Sequence, residues 1–276
     1  MTRIGTICVA VLLVAMPLGC RQSVLPDQYN LVMVGCPSMI PLIERIADRY
    51  REQNQIPLRV SVEPASPERT TADTRAGLAD IGLLGQPPSR AEVGLTAVTL
   101  AYDGLAFLVH RDNPVKNVDP AQLARLLTRE EPTWPVSSWT GGSVQLVGQP
   151  RIYCFRESLQ ERLGLVPGAI RLDVVAGTSE QVVQEVARRP TALGWLSLAH
   201  AERLCVGQPV HLLGISGVPA TLANFRAARY TFSRPLVLLT RRSCPSLVHD
   251  FIQFARSDSV HDLIEEHGFL PAEPGK

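Results

Sequence analysis

The stretch Leu31-Val32-Met33-Val34-Gly35-Cys36-Pro37-Ser38, running into Met39-Ile40-Pro41-Leu42-Ile43-Glu44-Arg45-Ile46-Ala47-Asp48-Arg49-Tyr50, decides how the chain folds. A short apolar run reads as a buried strand, Gly35 and Pro37 break it, and Ser38 carries the side chain of a helix N-cap. Met39, Leu42, Ile43, Ile46 and Tyr50 recur at the three-and-four spacing of one apolar helix stripe. Pro41 falls in the first turn, where its missing N–H is harmless. The pattern predicts a strand, a tight turn and a helix that starts at the sheet edge. Free backbone N–H groups and the positive end of the dipole make such a start an anion seat, at the place where open α/β sheets bind ligands. An ordinary βα turn without a ligand fits the same residues.

Outward from this unit, residues 56–62 alternate apolar and polar as a half-buried strand does, and Ala65-Ser66-Pro67 opens a second helix. Ala79-Asp80-Ile81-Gly82-Leu83-Leu84 is a third short strand that stops at Gly85-Gln86-Pro87-Pro88. Successive βα units of this kind build a parallel sheet. Residues 105–110 form a long apolar strand ending in the turn signal Arg111-Asp112-Asn113-Pro114. Helices are predicted over 120–127, 179–189, 246–256 and 260–267, with Gly268 as a C-cap, and strands over 144–147, 151–155, 192–196 and 235–240. A first crossing between lobes near Tyr102-Asp103 and a return before Pro235 predict two α/β lobes, each a mainly parallel sheet flanked by helices and joined by a hinge. The first comprises 28–102 plus 233–276 and the second 103–232.

A chain of 276 residues, 45% hydrophobic and 19% charged, can bury the cores of two small domains. Its formal net charge is +1, and removing residues 1–20 takes away only Arg3 and leaves 26 basic against 26 acidic side chains, which excludes nucleic acid as the expected partner. Met1-Thr2-Arg3, the apolar run 4–18 and Gly19-Cys20 have the layout of a signal peptide, and the run is short for a membrane span. Leu18-Gly19-Cys20 resembles the end of a bacterial lipobox, which implies lipidation at Cys20 and a membrane anchor. Pro17 stands where that pattern prefers leucine, so plain secretion and an uncleaved anchor stay open. On each of these readings the folded part is exported, to the periplasm or the outer cell surface.

Cys36, Cys154, Cys205 and Cys244 could form two disulfides by three connectivities. Cys36 and Cys154 lie beside predicted ligand loops of opposite lobes, where a disulfide would lock the cleft, so none is expected between them. No C-x-x-C pair exists, which removes zinc and thioredoxin-like readings.

The order of motifs from Asn30 to Pro271 resembles the type II periplasmic binding proteins, and among them the phosphate-binding proteins of bacterial ABC importers. The stretches that carry the resemblance are residues 35–50, Ala79-Asp80-Ile81-Gly82, Asp103-Gly104-Leu105-Ala106 with Asn113-Pro114-Val115, Ala192-Leu193-Gly194-Trp195, Tyr230 with Arg234-Pro235-Leu236, and Gly268-Phe269-Leu270-Pro271. The resemblance implies a small anion such as phosphate held in the interlobe cleft, delivery to an ABC permease, a monomer, and no cofactor. In the family the anion meets hydroxyls, backbone N–H groups and an arginine of the second lobe. Carried onto this chain, those positions are Ser38, Gln86, Arg156 and Ser158. The loops depart from the family: Cys36-Pro37 replaces hydroxyl residues, Ala65-Ser66-Pro67 replaces Gly-Ser-Gly, Gly85-Gln86 stands where the family shows Ser-Arg or Ser-Asp, and Arg156-Glu157-Ser158 shortens the arginine loop. These departures open a second reading, a lipoprotein that keeps the fold without solute binding and serves as an interaction or sensory module.

No enzyme is expected, because the chain carries no Gly-x-Ser-x-Gly, His-Glu-x-x-His or Gly-x-x-x-x-Gly-Lys pattern. His261 and His267 are not spaced to share one helical face as a metal pair, and no metal is expected. Trp134, Trp139 and Trp195 lack interleaved basic runs and read as packing residues.

Overall fold

In the computed structural model, which describes residues 29–88, 94–135 and 142–272, the opening stretch forms β1 (Tyr29–Gly35), a 3-10 turn over Pro37–Met39 and α1 (Ile40–Asn54). Leu42, Ile43, Ile46 and Tyr50 are buried on the face the spacing predicted, with Met39 beside them. Ser38 does not cap the helix. The 3-10 turn intervenes, Cys36 and Met39 hold the two N-cap positions without side-chain cap bonds, and the Ser38 hydroxyl is engaged elsewhere. Gly35 makes the exit from β1 possible: its φ is 138°, and a Cβ there would fall 2.1 Å from the Leu83 carbonyl oxygen. The signal segment, Cys20 and Trp139 lie outside the described residues.

β2 (Leu58–Pro64), α2 (Pro67–Ala76) and β3 (Ile81–Leu84) complete the first βα units, and β1 lies between β2 and β3 with both pairings parallel. Ser66 caps α2, its hydroxyl accepting from Arg69 N at 3.4 Å. The chain continues through β4 (Leu95–His110), β5 (Asn117–Val118), α3 (Pro120–Thr128), β6 (Gln145–Gly148), α4 (Phe155–Arg162), β7 (Val174–Val175), α5 (Ser179–Ala187) and β8 (Ala192–Ser197). It closes with α6 (Leu198–Leu204), β9 (Val210–Leu212), β10 (Gly214–Ile215), α7 (Leu222–Arg226), β11 (Ser233–Arg241), α8 (Ser246–Ala255), α9 (His261–Glu266) and β12 (Leu270–Pro271).

Two expectations need correction. The strand expected over 105–110 begins earlier, at Leu95, and runs unbroken through Tyr102-Asp103. Residues 95–104 pair antiparallel with β11 and residues 105–109 pair antiparallel with β8, so the strand order β2-β1-β3-β11-β4-β8-β6-β7 is continuous. Each half is parallel in its outer strands and antiparallel where β4 and β11 cross. The predicted strand over 151–155 is absent: a 3-10 turn at Arg151–Tyr153 leads through Cys154, in the left-handed region at φ 61°, into α4. β6 already has β8 on one side and β7 on the other, so the segment does not pair with the strand that precedes it.

Apolar side chains divide into two large cores. One gathers Leu31, Ile43, Ile81, Leu236 and Phe251, and the other Phe107, Leu146, Val182, Trp195 and Phe225. Trp134 and Trp195 are buried, as packing residues should be. The changeover falls between Ala101 and Leu105 on β4 and between Phe232, just before β11, and Leu236 on it. On that ground we propose the division expected from the sequence, 28–102 plus 233–276 and 103–232, with the two crossing strands as its hinge.

Gly35→Ala should cost about 3 kcal/mol or more in urea unfolding, because it adds strain at positive φ and a clash with backbone that cannot move aside. A loss below about 1 kcal/mol would mean that the β1 exit is free to relax.

Candidate functional site

Where the strands cross, two charges of opposite sign stand in register: Arg234 on β11 lies opposite Asp103 on β4. Both are removed from solvent, with side-chain exposures of 1% and 0%. Arg234 Nε donates to Asp103 Oδ2 at 3.1 Å, and Nη2 lies 3.0 Å from the same oxygen. Asp103 Oδ1 accepts from the Ser197 hydroxyl at 2.6 Å. Arg234 then reaches out of the sheet: Nη1 donates to the Tyr153 carbonyl at 2.8 Å and Nη2 to Ser38 Oγ at 2.9 Å. Its guanidinium carbon sits 3.8 Å from the centroid of the Phe155 ring, within cation–π range. One cation therefore joins both crossing strands, the turn after β1 and the segment that starts α4.

Burial raises the Asp103 carboxyl, and Arg234 with Ser197 pull it back toward ionisation. Burial also works against charge on Arg234, but Asp103 and the thiols of Cys36 and Cys154 outweigh it and hold the guanidinium above its ordinary value. Those thiols are the next shell of the site. Cys36 Sγ lies 3.1 Å from Ser38 Oγ and 3.2 Å from the Tyr153 carbonyl. A hydrogen bond from Cys154 lowers the Cys36 thiol to about 6 against the opposing effect of burial, with help from Arg234 and Ser38. The same contact and burial push Cys154 well above the ordinary thiol value.

The four residues expected to hold a ligand do not converge. Ser38 is taken up by Arg234 and Cys36. Ser158 is buried, and its hydroxyl lies 2.7 Å from the Cys154 carbonyl and 2.9 Å from the Gly85 carbonyl, so its proton is spent on backbone. Gln86 Oε1 is buried with no hydrogen-bond partner among the described residues. Gln86 shares one cavity with Ser158 and Arg234 and a second with Arg156, Glu161 and Arg171. Arg156 lies in the first turn of α4 rather than after a strand end, and its Nε is 3.9 Å from Glu157 Oε1, beyond hydrogen-bond range. It lines the second cavity, which Ser38 does not.

The residues that sequence reasoning passed over are Arg234 and Asp103, read only as parts of sequence motifs. Their signal was available: opposite charges at the points where two long apolar strands cross between lobes. Gly85 records the same rearrangement, since a Cβ there would meet Cys154 Cβ at 2.7 Å and Arg234 Nη1 at 3.1 Å. Glycine at this position leaves room for the cysteine and the guanidinium. No group of three or more His, Cys, Asp or Glu side chains suited to a metal occurs among the described residues.

Comparison with known proteins agrees with this architecture. The family model described as the PBP superfamily domain matches residues 22–259. The phosphate-binding protein PstS of Borreliella burgdorferi is 22% identical over 187 residues, which span 65% of this chain and 67% of that protein. Phosphate-binding protein PstS 2 of Streptococcus agalactiae is 30% identical over 109 residues, covering 38% of this chain and only 36% of its own length. Among solved structures, an ABC-type phosphate transport receptor from Vibrio cholerae superposes with a TM-score of 0.75 at 23% identity, over 88% of this chain and 100% of that one.

Two outcomes follow from the buried cluster. Asp103→Asn, which leaves Arg234 buried without its carboxylate, should lower stability by about 3–5 kcal/mol in urea unfolding, whereas Asp103→Leu combined with Arg234→Met should recover much of the loss. Titration of thiolate absorbance should show a step near pH 6 that Cys36→Ser removes. Because the folded thiol lies below its unfolded value, its contribution to stability is complete above the ordinary thiol pKa of about 9 and fades as pH falls toward 6.

Proposed function

Because the chain belongs to the PBP superfamily, we propose that it is an exported substrate-binding protein that takes phosphate or a similar small anion in the interlobe cleft and hands it to an ABC permease. The observation that carries this reading is the Arg234 guanidinium, bound to the Ser38 hydroxyl between the two lobes. A permanent cation beside a hydroxyl is the kind of donor set an oxyanion needs. Relatives named as phosphate-binding proteins point to the same ligand class. Arg234 is 1% exposed, so entry requires the lobes to part about β4 and β11. Gln86 and Arg156 join the site as rim residues. Arg156 makes no closer ion pair among the described residues than its 3.9 Å approach to Glu157, and its fork can turn to an incoming anion. Ser158 drops from the ligand set into a structural role. We assign no catalytic step. In this proposal the protein acts as a monomer, outside the cytoplasm, anchored through lipid on Cys20.

A specific observation favours the alternative, a scaffold that retains the fold without solute binding as an interaction or sensory module. Arg234 and Ser158 spend donors on the protein itself, the Ser38 hydroxyl is held by Arg234 and Cys36, and Cys154 occupies the space that Gly85 leaves.

A thermal-shift panel of phosphate, sulfate, molybdate and carboxylates separates the two. A ligand at a hundredfold excess over its Kd should add about 2.7 kcal/mol of stability. Ser38→Ala should weaken binding of that ligand by about 1 kcal/mol or more, and Arg156→Ala by more than about 1.5 kcal/mol while leaving the unliganded melting temperature near that of the parent. No shift across the panel overturns anion binding and leaves the scaffold.

A further inference from the structure

Anion binding does not use the buried thiols. Cys36 follows β1 in the first lobe, whereas Cys154 precedes α4 in the chain segment of the second, yet both pack into the first core. Both are free thiols, exposed by 0% and 1%, as expected if the cleft is to open. Cys36 Sγ lies 3.2 Å from the Tyr153 carbonyl, the group bonded directly to the Cys154 nitrogen, which brings the two cysteines side by side across the lobes, and Cys154 is the largest influence that lowers the Cys36 thiol. Arg234 donates to that same carbonyl at 2.8 Å, which sets a fixed positive charge beside the pair. Buried structural cysteines are usually inert, and a neighbouring guanidinium is what makes one a nucleophile. Cys205 supplies the contrast, because burial alone pushes its thiol up to about 11. A cavity edged by Glu68, Thr71 and Gln86 reaches Cys154 and gives a small oxidant a way in.

We infer that Cys36 and Cys154 are an oxidation site, closed to a disulfide by a small hydroperoxide, that ties the two lobes together at the floor of the cleft. The Cys36 thiolate attacks a peroxide oxygen, the O–O bond breaks, and the leaving alkoxide takes a proton and departs as an alcohol, or as water from hydrogen peroxide. Cys36 is left as the sulfenic acid. Cys154 sulfur then attacks the sulfenic sulfur, the S–O bond breaks, and the departing hydroxyl leaves as water with the Cys154 proton. In sum, two thiols and one hydroperoxide give one disulfide, one alcohol and one water, with the sulfurs oxidised and the peroxide reduced. The bond would join the turn after β1 to the turn before α4 and hold β4 and β11 against opening.

The test treats the purified, reduced chain with hydrogen peroxide, alkylates free thiols and maps the peptides. A tryptic peptide of residues 152–156 should appear linked to the peptide that carries Cys36. The melting temperature should rise by about 5 °C or more, as expected when a long loop is closed, and dithiothreitol should reverse it. Cys36→Ser and Cys154→Ser should each abolish the link and the shift, while Cys205→Ser and Cys244→Ser should leave both intact. If either cleft variant fails to fold, the peptide map of the parent chain decides alone. Full alkylation of Cys36 and Cys154 after peroxide, conversion of Cys36 to sulfinic acid without a link, or a link to Cys205 or Cys244 overturns the inference. Mapping needs no anion, so an inactive ligand panel and an unreactive thiol pair are separate results.

Discussion

The ion pair between Arg234 and Asp103 is the constraint on which the rest of the molecule depends. Two unit charges with almost no exposure lose several kcal/mol each in desolvation, and only close contact with further hydrogen bonds offsets that loss. The chain supplies these contacts from separated segments: Ser197 at the end of β8, the Tyr153 carbonyl, Ser38 after β1 and the Phe155 ring. A guanidinium is suited to this because its planar fork can face several acceptors at once. Sliding β11 by one residue against β4 would separate the charges and turn Arg234 to the other face, so the pair also selects the register in which the lobes are joined.

That junction gives the molecule its mechanical character. β4 belongs to both cores, giving Leu100 and Ala101 to the first and residues 105–109 to the second, whereas β11 gives Leu236 and Leu238 to the first and the second core takes up Tyr230 and Phe232 just before it. The covering piece is the segment from Arg151 into α4, which cannot join the sheet and instead carries Cys154 into the first core. In the proposed two-lobe division, burial of Cys154 and the bonds to Arg234 both hold the lobes together, and motion about the crossing strands would break both.

The same guanidinium can serve two chemistries, because an oxyanion and a thiolate are both negative groups seeking a fixed positive charge. Cys36 sits within reach of the hydroxyl that would meet an anion, and its lowered thiol means that a negative charge is already favoured there near neutral pH. An incoming phosphate and the Cys36 thiolate would therefore repel each other across Ser38. Cys36 thus sets the electrostatics of the turn as well as its hydrogen bonding.

From sequence alone the opening strand, the apolar stripe of α1, the start of α2 at Ala65-Ser66-Pro67, the apolar strands on either side of the crossings and the buried Trp134 and Trp195 were all legible. Each rests on period, propensity or turn chemistry, which act over a few neighbouring residues. The motif order was legible for the same reason and led to the correct fold. The site was legible only in part. Ser38 and Gln86 were placed near the cleft, but the partners that engage Ser38 are Arg234 and Cys36, one of them 196 residues away. The 151–155 segment turns into α4, and β6 pairs instead with β7, a contact between segments distant in the chain. The meeting of Cys36, Cys154 and Arg234 likewise had no local signature. What residues do within a turn or a strand was written in the sequence, whereas what a buried charge pairs with was decided by the tertiary structure, because desolvation acts only once distant segments have shut out the water.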